Sequence, residues 1–277
     1  ERRSSRLYHR EMGHGVPLLL IHGIPGQSDV WAEVEEQVKG SFRVIVPDLL
    51  GFGKSPMAKD VFVEAQADAI WALLEDLSIR ELHIVAHDYG APVALTMLRK
   101  HPELDVLSLV VMATNFFPDT PVPAPMKLAK LPVLRSLLWP MLGTVPGARM
   151  TMRAGSGVTM PKQYTMAVRS ARSTYRIFVH SLNKLTEIYA PIEATARSLR
   201  LPAIVLWGTE DPFFSIDTGK RTADALSAEF RVLKDVGHFI PVEAPSAVVD
   251  AIHALTERFV VPAVAEPPTL LKVGSHA

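Results

Sequence analysis

The sequence predicts an α/β fold in which helices cover both faces of a mostly parallel sheet. Short apolar, β-branched runs alternate with helical patterns along most of the 277 residues, which is typical of doubly wound sheets. These runs are continuously apolar, as expected of strands buried on both faces. The alternation stops between about residues 117 and 200, which indicates an insertion.

The predicted elements alternate regularly outside the insertion. Strands are expected at 16–23, 42–47, 82–87, 107–114, 203–208 and 229–234, with a pair of antiparallel strands earlier, around 6–12. Helices are expected at 28–39, 61–77, 91–101, 218–226 and 246–259. This order gives a sheet whose loops at the carboxyl ends of the strands share one edge.

The insertion is predicted to be a helical cap over that edge. It opens with "FPDTPVPAP", whose prolines interrupt regular structure, and helical patterns follow at 126–138 and 161–183. The predicted organisation is therefore a first core part, a helical cap, a second core part and an irregular tail: 1–116, 117–200, 201–263 and 264–277.

The cap segment, residues 117–200, carries most of the basic charge. It holds twelve Lys and Arg against three Asp and Glu, whereas the whole chain has zero formal charge. Lys162, Arg169, Arg172 and Arg176 are spaced to form a stripe on one helix. Such a stripe is most often a solvated face; attraction of an anionic substrate or an acidic partner is the alternative.

Composition excludes several classes of function. The zero net charge gives no overall field toward nucleic acid or a membrane surface. The absence of cysteine excludes disulfides, thiolate metal sites and cysteine nucleophiles. No apolar run is long enough to predict a transmembrane helix. A cytoplasmic protein is expected, although the sequence starts at Glu1 and a removed leader peptide is an open alternative. A homodimer is a further open alternative.

Five short motifs stand at or just after the predicted strands. They are "HGIPG" from His22, "PDLLGFGKS" from Pro47, "AHDYG" from Ala86, "WGTEDPF" from Trp207 and "VGHFIPVEAP" from Val236. Because the carboxyl ends of parallel strands open on one edge of a sheet, residues from all five motifs can converge there.

The order of these motifs resembles the α/β-hydrolase fold family, and more narrowly its epoxide hydrolase and haloalkane dehalogenase branch. The resemblance spans about residues 6 to 260 and implies an α/β-hydrolase fold with a cap. It implies Asp88 as nucleophile, His238 as base and Asp211 as the acid that orients it. Glu210 is the alternative to Asp211, and Asn115 occupies a position from which some relatives supply this acid.

The resemblance further implies an oxyanion hole made by the backbone amides of Ile24 and Tyr89, with a cis peptide bond before Pro25. His22 and His87 are expected to stabilise the turns.

A carboxylate at the nucleophile turn changes the chemistry that the site can perform. An ionised Asp88 needs no base to deprotonate it and can attack saturated carbon, displacing an alkoxide or a halide. His238 would then activate water to hydrolyse the resulting ester, and Asp211 would orient the imidazole. No metal or organic cofactor is expected.

The leaving group separates the two main alternatives. Haloalkane dehalogenases in this branch carry a tryptophan after the nucleophile and, in many members, an asparagine after "HG"; here Tyr89 and Ile24 occupy those positions. Epoxide hydrolases supply cap tyrosines as proton donors, and the candidates here, in order of preference, are Tyr175, Tyr164 and Tyr189. His180 lies where relatives often carry a tyrosine and is a further candidate.

The sequence therefore predicts a hydrolase that converts a mainly apolar epoxide into a vicinal diol through an ester on Asp88. The alternatives are dehalogenation of a haloalkane or haloacid, and a non-hydrolytic use of the fold for ligand binding or natural-product cyclisation.

Overall fold

A seven-stranded sheet forms the centre of the molecule. The structure, a computed structural model, describes residues 6–120, 131, 135–156 and 168–256. The strands are β1 His9–Met12, β2 Pro17–Ile21, β3 Arg43–Pro47, β4 Glu81–His87, β5 Asp105–Met112, β6 Ala203–Gly208 and β7 Glu229–Leu233. Their order is β1-β3-β2-β4-β5-β6-β7, and every neighbouring pair except β1–β3 is parallel, which confirms the mostly parallel sheet.

The expected pair of antiparallel strands around 6–12 is wrong. One strand, β1, lies there and pairs antiparallel with β3, with His9 opposite Pro47. Gly13 and Gly15 have positive φ angles of 74° and 104°, and the chain turns at these residues before entering β2. Because β3 lies between β1 and β2, the turn does not close a hairpin.

The helices are α1 Ala32–Val38, α2 Val63–Asp76, α3 Gly90–Lys100, α4 Val145–Gly155, α5 Val168–Asn183, α6 Leu185–Ser198, α7 Ile216–Leu226, α8 Ile240–Glu243 and α9 Pro245–Thr256. A 3-10 turn, Ser28–Trp31, precedes α1; another, Arg135–Leu138, and a π turn, Trp139–Gly143, precede α4. Residues 161–167, the tail 264–277 and most of the expected helix 126–138 lie outside the described residues.

Both faces of the sheet are buried, which explains the continuous apolar runs. Along β2, Leu19 and Ile21 pack into the core on the side of α2 and α3. Leu18 and Leu20 pack on the opposite side, with α1 and α9. Because side chains alternate along a strand, both sets must be apolar.

The α-helices described between β5 and β6 are α4, α5 and α6. Helix α5 is held against the loop that follows β3: the Ser173 hydroxyl donates to the Gly51 carbonyl at 3.0 Å, and the Gly53 amide donates to the Ser170 hydroxyl at 3.2 Å. These bonds fix α5 near the carboxyl edge of the sheet. None of the helices described here is long and apolar enough to cross a membrane.

Candidate active site

Asp88 occupies a sharp turn between β4 and α3. Its φ angle is +49°, in the left-handed region that side chains other than Gly, Asn and Asp rarely adopt. The turn requires close contacts: a Cβ at Gly90 would lie 2.5 Å from the Ile21 carbonyl oxygen, and one at Gly23 would lie 2.4 Å from the Asp88 Cβ. Glycine at both positions therefore lets the carboxylate project from the sheet edge.

The Asp88 carboxylate is almost buried and is held by backbone amides. The Ile24 amide donates to Oδ2 at 2.7 Å, and the cis peptide expected between Ile24 and Pro25 is present. Burial raises the pKa of Asp88, and the charge of His238 and the amides of Ile24 and Tyr89 oppose that rise without cancelling it. The amides expected to form the oxyanion hole thus already act on this carboxylate.

His238 lies between two carboxylates. Its Nδ1 is 2.9 Å from Asp211 Oδ2, and its Nε2 is 3.8 Å from Asp88 Oδ1. Burial lowers the pKa of His238, but the hydrogen bond that its Nδ1 donates to Asp211 and the charges of Asp211, Asp88 and Glu243 outweigh burial, so the net pKa is raised. The charged imidazolium is therefore favoured while both aspartates are ionised.

The structure places Asp211, and not Glu210, beside the imidazole. The Asp211 side chain has no exposed surface, and its Oδ1 accepts the amides of Phe213 and Phe214 at 2.8 and 3.1 Å. These bonds leave Oδ2 directed at His238 Nδ1. Glu210 is exposed and accepts a hydrogen bond from the neighbouring Thr209 hydroxyl.

Glu243, which the sequence did not single out, anchors the loop that carries the histidine. Its Oε2 accepts the Gly237 amide at 2.8 Å and its Oε1 accepts the Phe239 amide at 2.9 Å. One carboxylate therefore binds the amides on both sides of His238. The signal was present as the glutamate of "VGHFIPVEAP", but only the short α8 turn brings it back to the loop.

His22 and His87 support the turns, as expected. The Leu49 amide donates to His22 Nε2 at 3.0 Å, so Nδ1 carries the proton and donates to the Gly23 carbonyl. His87 Nε2 lies 2.9 Å from the His238 carbonyl oxygen. Burial lowers the pKa of both rings, which keeps them neutral.

A cavity of about 230 Å³ opens over Asp88 and His238. Its walls come from the core and from the cap segment, and they are mainly apolar: Ile24, Pro25, Pro92, Leu142, Ile177, Phe178, Leu182, Leu185, Pro212, Phe213 and Phe214. The hydroxyl and amide groups are those of Tyr89, Asn115, Thr120, Thr151, Thr174, Ser181 and Tyr189. Besides the phenols of Tyr89 and Tyr189, the ionisable groups among the described lining residues are the carboxylate of Asp88 and the imidazole of His238.

Tyr189, on α6, is the cap tyrosine that reaches this cavity among those described. Burial and the charge of Asp88 raise its pKa to about 12, and a hydrogen bond with Ser181 opposes the rise. Its hydroxyl therefore stays protonated and can donate. The ring of Tyr89, for which the sequence suggested only an amide, also lines the cavity, and burial raises the pKa of that phenol as well.

The expected preference for Tyr175 over Tyr189 does not fit this geometry. Helix α5 presents Thr174, Ile177, Phe178, Ser181 and Leu182 to the cavity, and Tyr175 is not among the described residues that line it. Its ring packs edge-on against Trp139, with the centroids 5.0 Å apart.

The two remaining candidates are His180 and Tyr164. His180 stacks on Phe62 at 3.6 Å between ring centroids, and it is not among the described residues that line the cavity. Burial lowers the pKa of its imidazole. Tyr164 lies outside the described residues.

The basic stripe is partly structural. Arg176 donates to the carbonyls of Ala58, at 3.2 Å, and Lys59, so it holds α5 to the core, whereas Arg172 is exposed. Lys162 and the side chain of Arg169 lie outside the described part of the chain. Within the described chain, no group of three or more His, Asp or Glu side chains is placed to hold a metal ion.

Comparison with known proteins points to one fold and several reactions. Residues 16–149 match the family described as alpha/beta hydrolase fold. The chain is 27% identical to an uncharacterised hydrolase of Saccharomyces cerevisiae, over 84% of this chain and 87% of the relative. It is 25% identical to the cis-3-alkyl-4-alkyloxetan-2-one decarboxylase of Shewanella oneidensis, over 92% and 87%, and 27% identical to Lipase 1 of Psychrobacter immobilis, over 86% and 77%.

Solved structures agree on the fold. A putative ancestral haloalkane dehalogenase superposes with a TM-score of 0.77 at 19% identity, over 91% of this chain and 95% of the other. An epoxide hydrolase superposes with a TM-score of 0.64 at 20% identity, over 91% and 95%. Identities this low establish the architecture and leave the reaction to be argued from the site.

Proposed function

We propose that this enzyme, a hydrolase of the α/β-hydrolase fold family, opens a mainly apolar epoxide through a covalent ester on Asp88 and releases a vicinal diol. The observation that carries the proposal is a carboxylate at the nucleophile turn. Its Oδ2 is bound by the Ile24 amide at 2.7 Å, while Oδ1 faces His238 Nε2 at 3.8 Å. A carboxylate in this position can attack carbon that carries no carbonyl.

In the first step, Oδ1 of Asp88 attacks a ring carbon and the carbon–oxygen bond of the ring breaks. The departing oxygen becomes an alkoxide, a poor leaving group that needs a hydrogen-bond donor and a proton. The Tyr189 hydroxyl supports this step, because its raised pKa keeps it protonated in the same cavity. The proton passes to the alkoxide and is replaced from the imidazolium of His238, which leaves a neutral base.

In the second step, neutral His238 takes a proton from water, and the resulting hydroxide attacks the ester carbonyl of Asp88. Negative charge then develops on Oδ2, the oxygen that the Ile24 amide already binds, so the donor is in place before the reaction. Collapse of the tetrahedral intermediate expels the diol oxygen, which takes the proton from His238 and leaves Asp88 as a carboxylic acid. Asp88 then gives its proton to His238, which restores the carboxylate and the imidazolium. The net reaction adds one water to one epoxide.

The charges of the site favour this order of events. The ionised Asp88 is one of the groups that raise the pKa of His238. When Asp88 becomes an ester it loses that charge, so the pKa of His238 falls at the stage that requires a neutral imidazole. Attack and hydrolysis are thus matched to two protonation states of the same ring.

A strained ring ester is a second candidate substrate. The support is the relative from Shewanella oneidensis named as an oxetan-2-one decarboxylase, which aligns with 92% of this chain. Haloalkanes remain the alternative for the leaving group. A haloacid is less suited, because no Lys or Arg is among the described lining residues and the imidazole of His238 already lies between Asp211 and Asp88. A non-hydrolytic role leaves the joined Asp88, His238 and Asp211 without a purpose.

The test is the intact mass of the His238→Gln protein after exposure to epoxides, haloalkanes and oxetan-2-ones, followed by peptide mapping. An adduct with the full mass of the epoxide on the Asp88 peptide is expected, since the second step lacks its base. The Asp88→Asn, His238→Gln double variant serves as the control and should stay unmodified. An alkyl adduct without halogen would replace epoxides by haloalkanes. A wild-type protein that converts none of these compounds, with no adduct, would overturn the proposal.

A further inference from the structure

Asn115 lies in the cavity but has no part in the reaction described above. It follows β5, at the same sheet edge as Asp88, and lines the same cavity. The preceding Thr114 donates its hydroxyl to the Asp88 carbonyl at 2.7 Å. This bond ties the loop that carries Asn115 to the nucleophile turn.

The hydrogen bonds of Asn115 fix the orientation of its amide. Its Oδ1 accepts the Phe117 backbone amide at 3.1 Å and the Thr120 hydroxyl at 2.6 Å. A backbone N–H can only donate, so the atom that it meets must be the oxygen. The NH₂ group is therefore on the other side. No described residue accepts a hydrogen bond from this NH₂ group, and the group is not a fully buried, unpaired donor.

The NH₂ group of Asn115 disfavours a purely apolar ligand. The cavity that Asn115 lines is mainly apolar and includes Pro212, Phe213 and Phe214, whose side chains cannot accept a hydrogen bond. A purely apolar substrate that covered the NH₂ group would leave a donor desolvated and unpaired, which weakens binding. A substrate with an acceptor oxygen at this point would avoid that cost.

We propose that Asn115 is a substrate-binding residue that donates to an oxygen outside the epoxide ring, so that the preferred substrates are epoxides bearing an ether, hydroxyl or carbonyl group. This rests on the proposed opening of an epoxide by Asp88. The ring oxygen itself is assigned to Tyr189, and Asn115 determines which epoxides are accepted. A neutral donor suits a neutral oxygen, in agreement with a lining that holds no described Lys, Arg or Glu.

The experiment compares propyl glycidyl ether with 1,2-epoxyheptane, which differ by one ether oxygen in place of a methylene. Asn115→Asp keeps an oxygen for Phe117 and Thr120 but presents an acceptor where the NH₂ group was. We expect kcat/KM for the ether to fall about tenfold more than kcat/KM for the alkyl epoxide, as for the loss of one hydrogen bond. Asn183→Asp, which makes the same change at an exposed position, should alter both substrates equally.

Asn115→Leu provides a second variant if the aspartate does not fold, and it should shift preference toward 1,2-epoxyheptane. Equal losses for both epoxides in either variant would overturn the role of Asn115 while leaving the proposed function intact. If the wild-type protein opens neither epoxide and the His238→Gln protein forms no adduct, the proposed function is overturned, and this inference with it.

Discussion

Nε2 of His238 lies 3.8 Å from Oδ1 of Asp88, beyond the range of a direct hydrogen bond. A hydroxyl nucleophile would need closer contact, because its base must take a proton before attack. A carboxylate needs no such help. The gap therefore fits a histidine whose task is to activate water beside an ester on Asp88.

Replacement of Asp88 by Asn should abolish the covalent step. The amide is isosteric and tolerates the left-handed backbone at this position, but it is a poor nucleophile. We expect turnover to fall at least about 10⁴-fold and no adduct to appear with any epoxide, measured by diol formation and intact mass. Activity within tenfold of wild type would show that Asp88 is not the nucleophile.

The same variant should be more stable than the wild type near pH 8. Burial raises the pKa of Asp88, so the folded state holds its proton more tightly than the unfolded state does. Wild-type stability therefore rises as pH falls through the folded-state pKa, and the ionised form is the less stable one. The Asp88→Asn substitution removes this charge. A gain of about 1 kcal/mol in the free energy of unfolding would raise Tm by roughly 2–4 °C. Thermal unfolding at pH 8 and pH 4.5 checks this, and the difference should shrink at the lower pH.

Loss of the Asp88 charge should also lower the pKa of His238, since that charge is among the groups that raise it. A histidine with a raised folded-state pKa stabilises the protein fully below its unfolded pKa, and that contribution is lost as pH rises through the folded-state pKa. NMR titration of the imidazole in Asp88→Asn, compared with wild type, measures the change. His87, whose pKa burial holds well below its usual range, is an internal control that should stay neutral in both.

Substitutions at the neighbouring residues Asp211 and Glu210 should differ in their effect on turnover. Asp211→Asn should reduce turnover by about 10²–10⁴-fold, because an NH₂ group facing Nδ1 favours the wrong tautomer of His238. Glu210→Gln is the matched control: the side chain is exposed, and kcat should stay within about twofold. Steady-state kinetics on the best epoxide decide the matter. Equal losses in both variants would contradict the assignment of Asp211.

The sheet and the convergence of Asp88, Asp211 and His238 were predictable because they depend on local patterns. Strands buried on both faces must be continuously apolar, as in Leu18 to Ile21. The turn at Asp88 demands small neighbours such as Gly90, which makes its motif visible. Asp211 and His238 follow strand ends, so topology alone brings them to one edge.

The side chains of the cap segment that line the cavity could not be predicted, and the reason is physical. Which residues of α5 face the cavity depends on how the helix is rotated, and that rotation is set by non-local contacts such as the Ser173 bond to Gly51. The spacing of residues along α5 and α6 cannot reveal it, so the sequence placed Tyr175 before Tyr189, although of the two only Tyr189 is among the described residues that line the cavity. Glu243 was missed because its partners, the Gly237 and Phe239 amides, are backbone groups with no sequence signal.

The tyrosines can be separated by phenylalanine variants. Tyr189→Phe should slow ester formation about 10²-fold or more in the His238→Gln background, since the departing alkoxide loses its donor. Tyr89→Phe retains its backbone amide, so any loss there reports the phenol alone. Tyr175→Phe, whose ring packs on Trp139, is the control and should react at the wild-type rate. Adduct formation followed by mass spectrometry gives these rates; a defect confined to Tyr175→Phe would restore the first ranking.

Glu243 should affect the pH at which the ester is hydrolysed. Its charge is one of those that raise the pKa of His238, and its two oxygens hold the amides on either side of that residue. Glu243→Gln removes the charge and leaves one oxygen to accept, so the pKa of His238 should fall. Because hydrolysis needs neutral His238, the rising limb of its pH profile should move to lower pH, while the plateau rate drops through poorer positioning.

Asp235→Asn is the control for this effect of charge. Asp235 lies three residues before His238 in the same loop, its side chain is 79% exposed, and asparagine accepts its positive φ of 58°. Solvent screens its charge, so the profile should not move. Single-turnover decay of the ester from pH 5 to 9 measures both variants. A lower plateau with an unmoved limb in Glu243→Gln would mean that Glu243 only holds the loop, whereas a shifted limb shows that its charge also sets the protonation of the base.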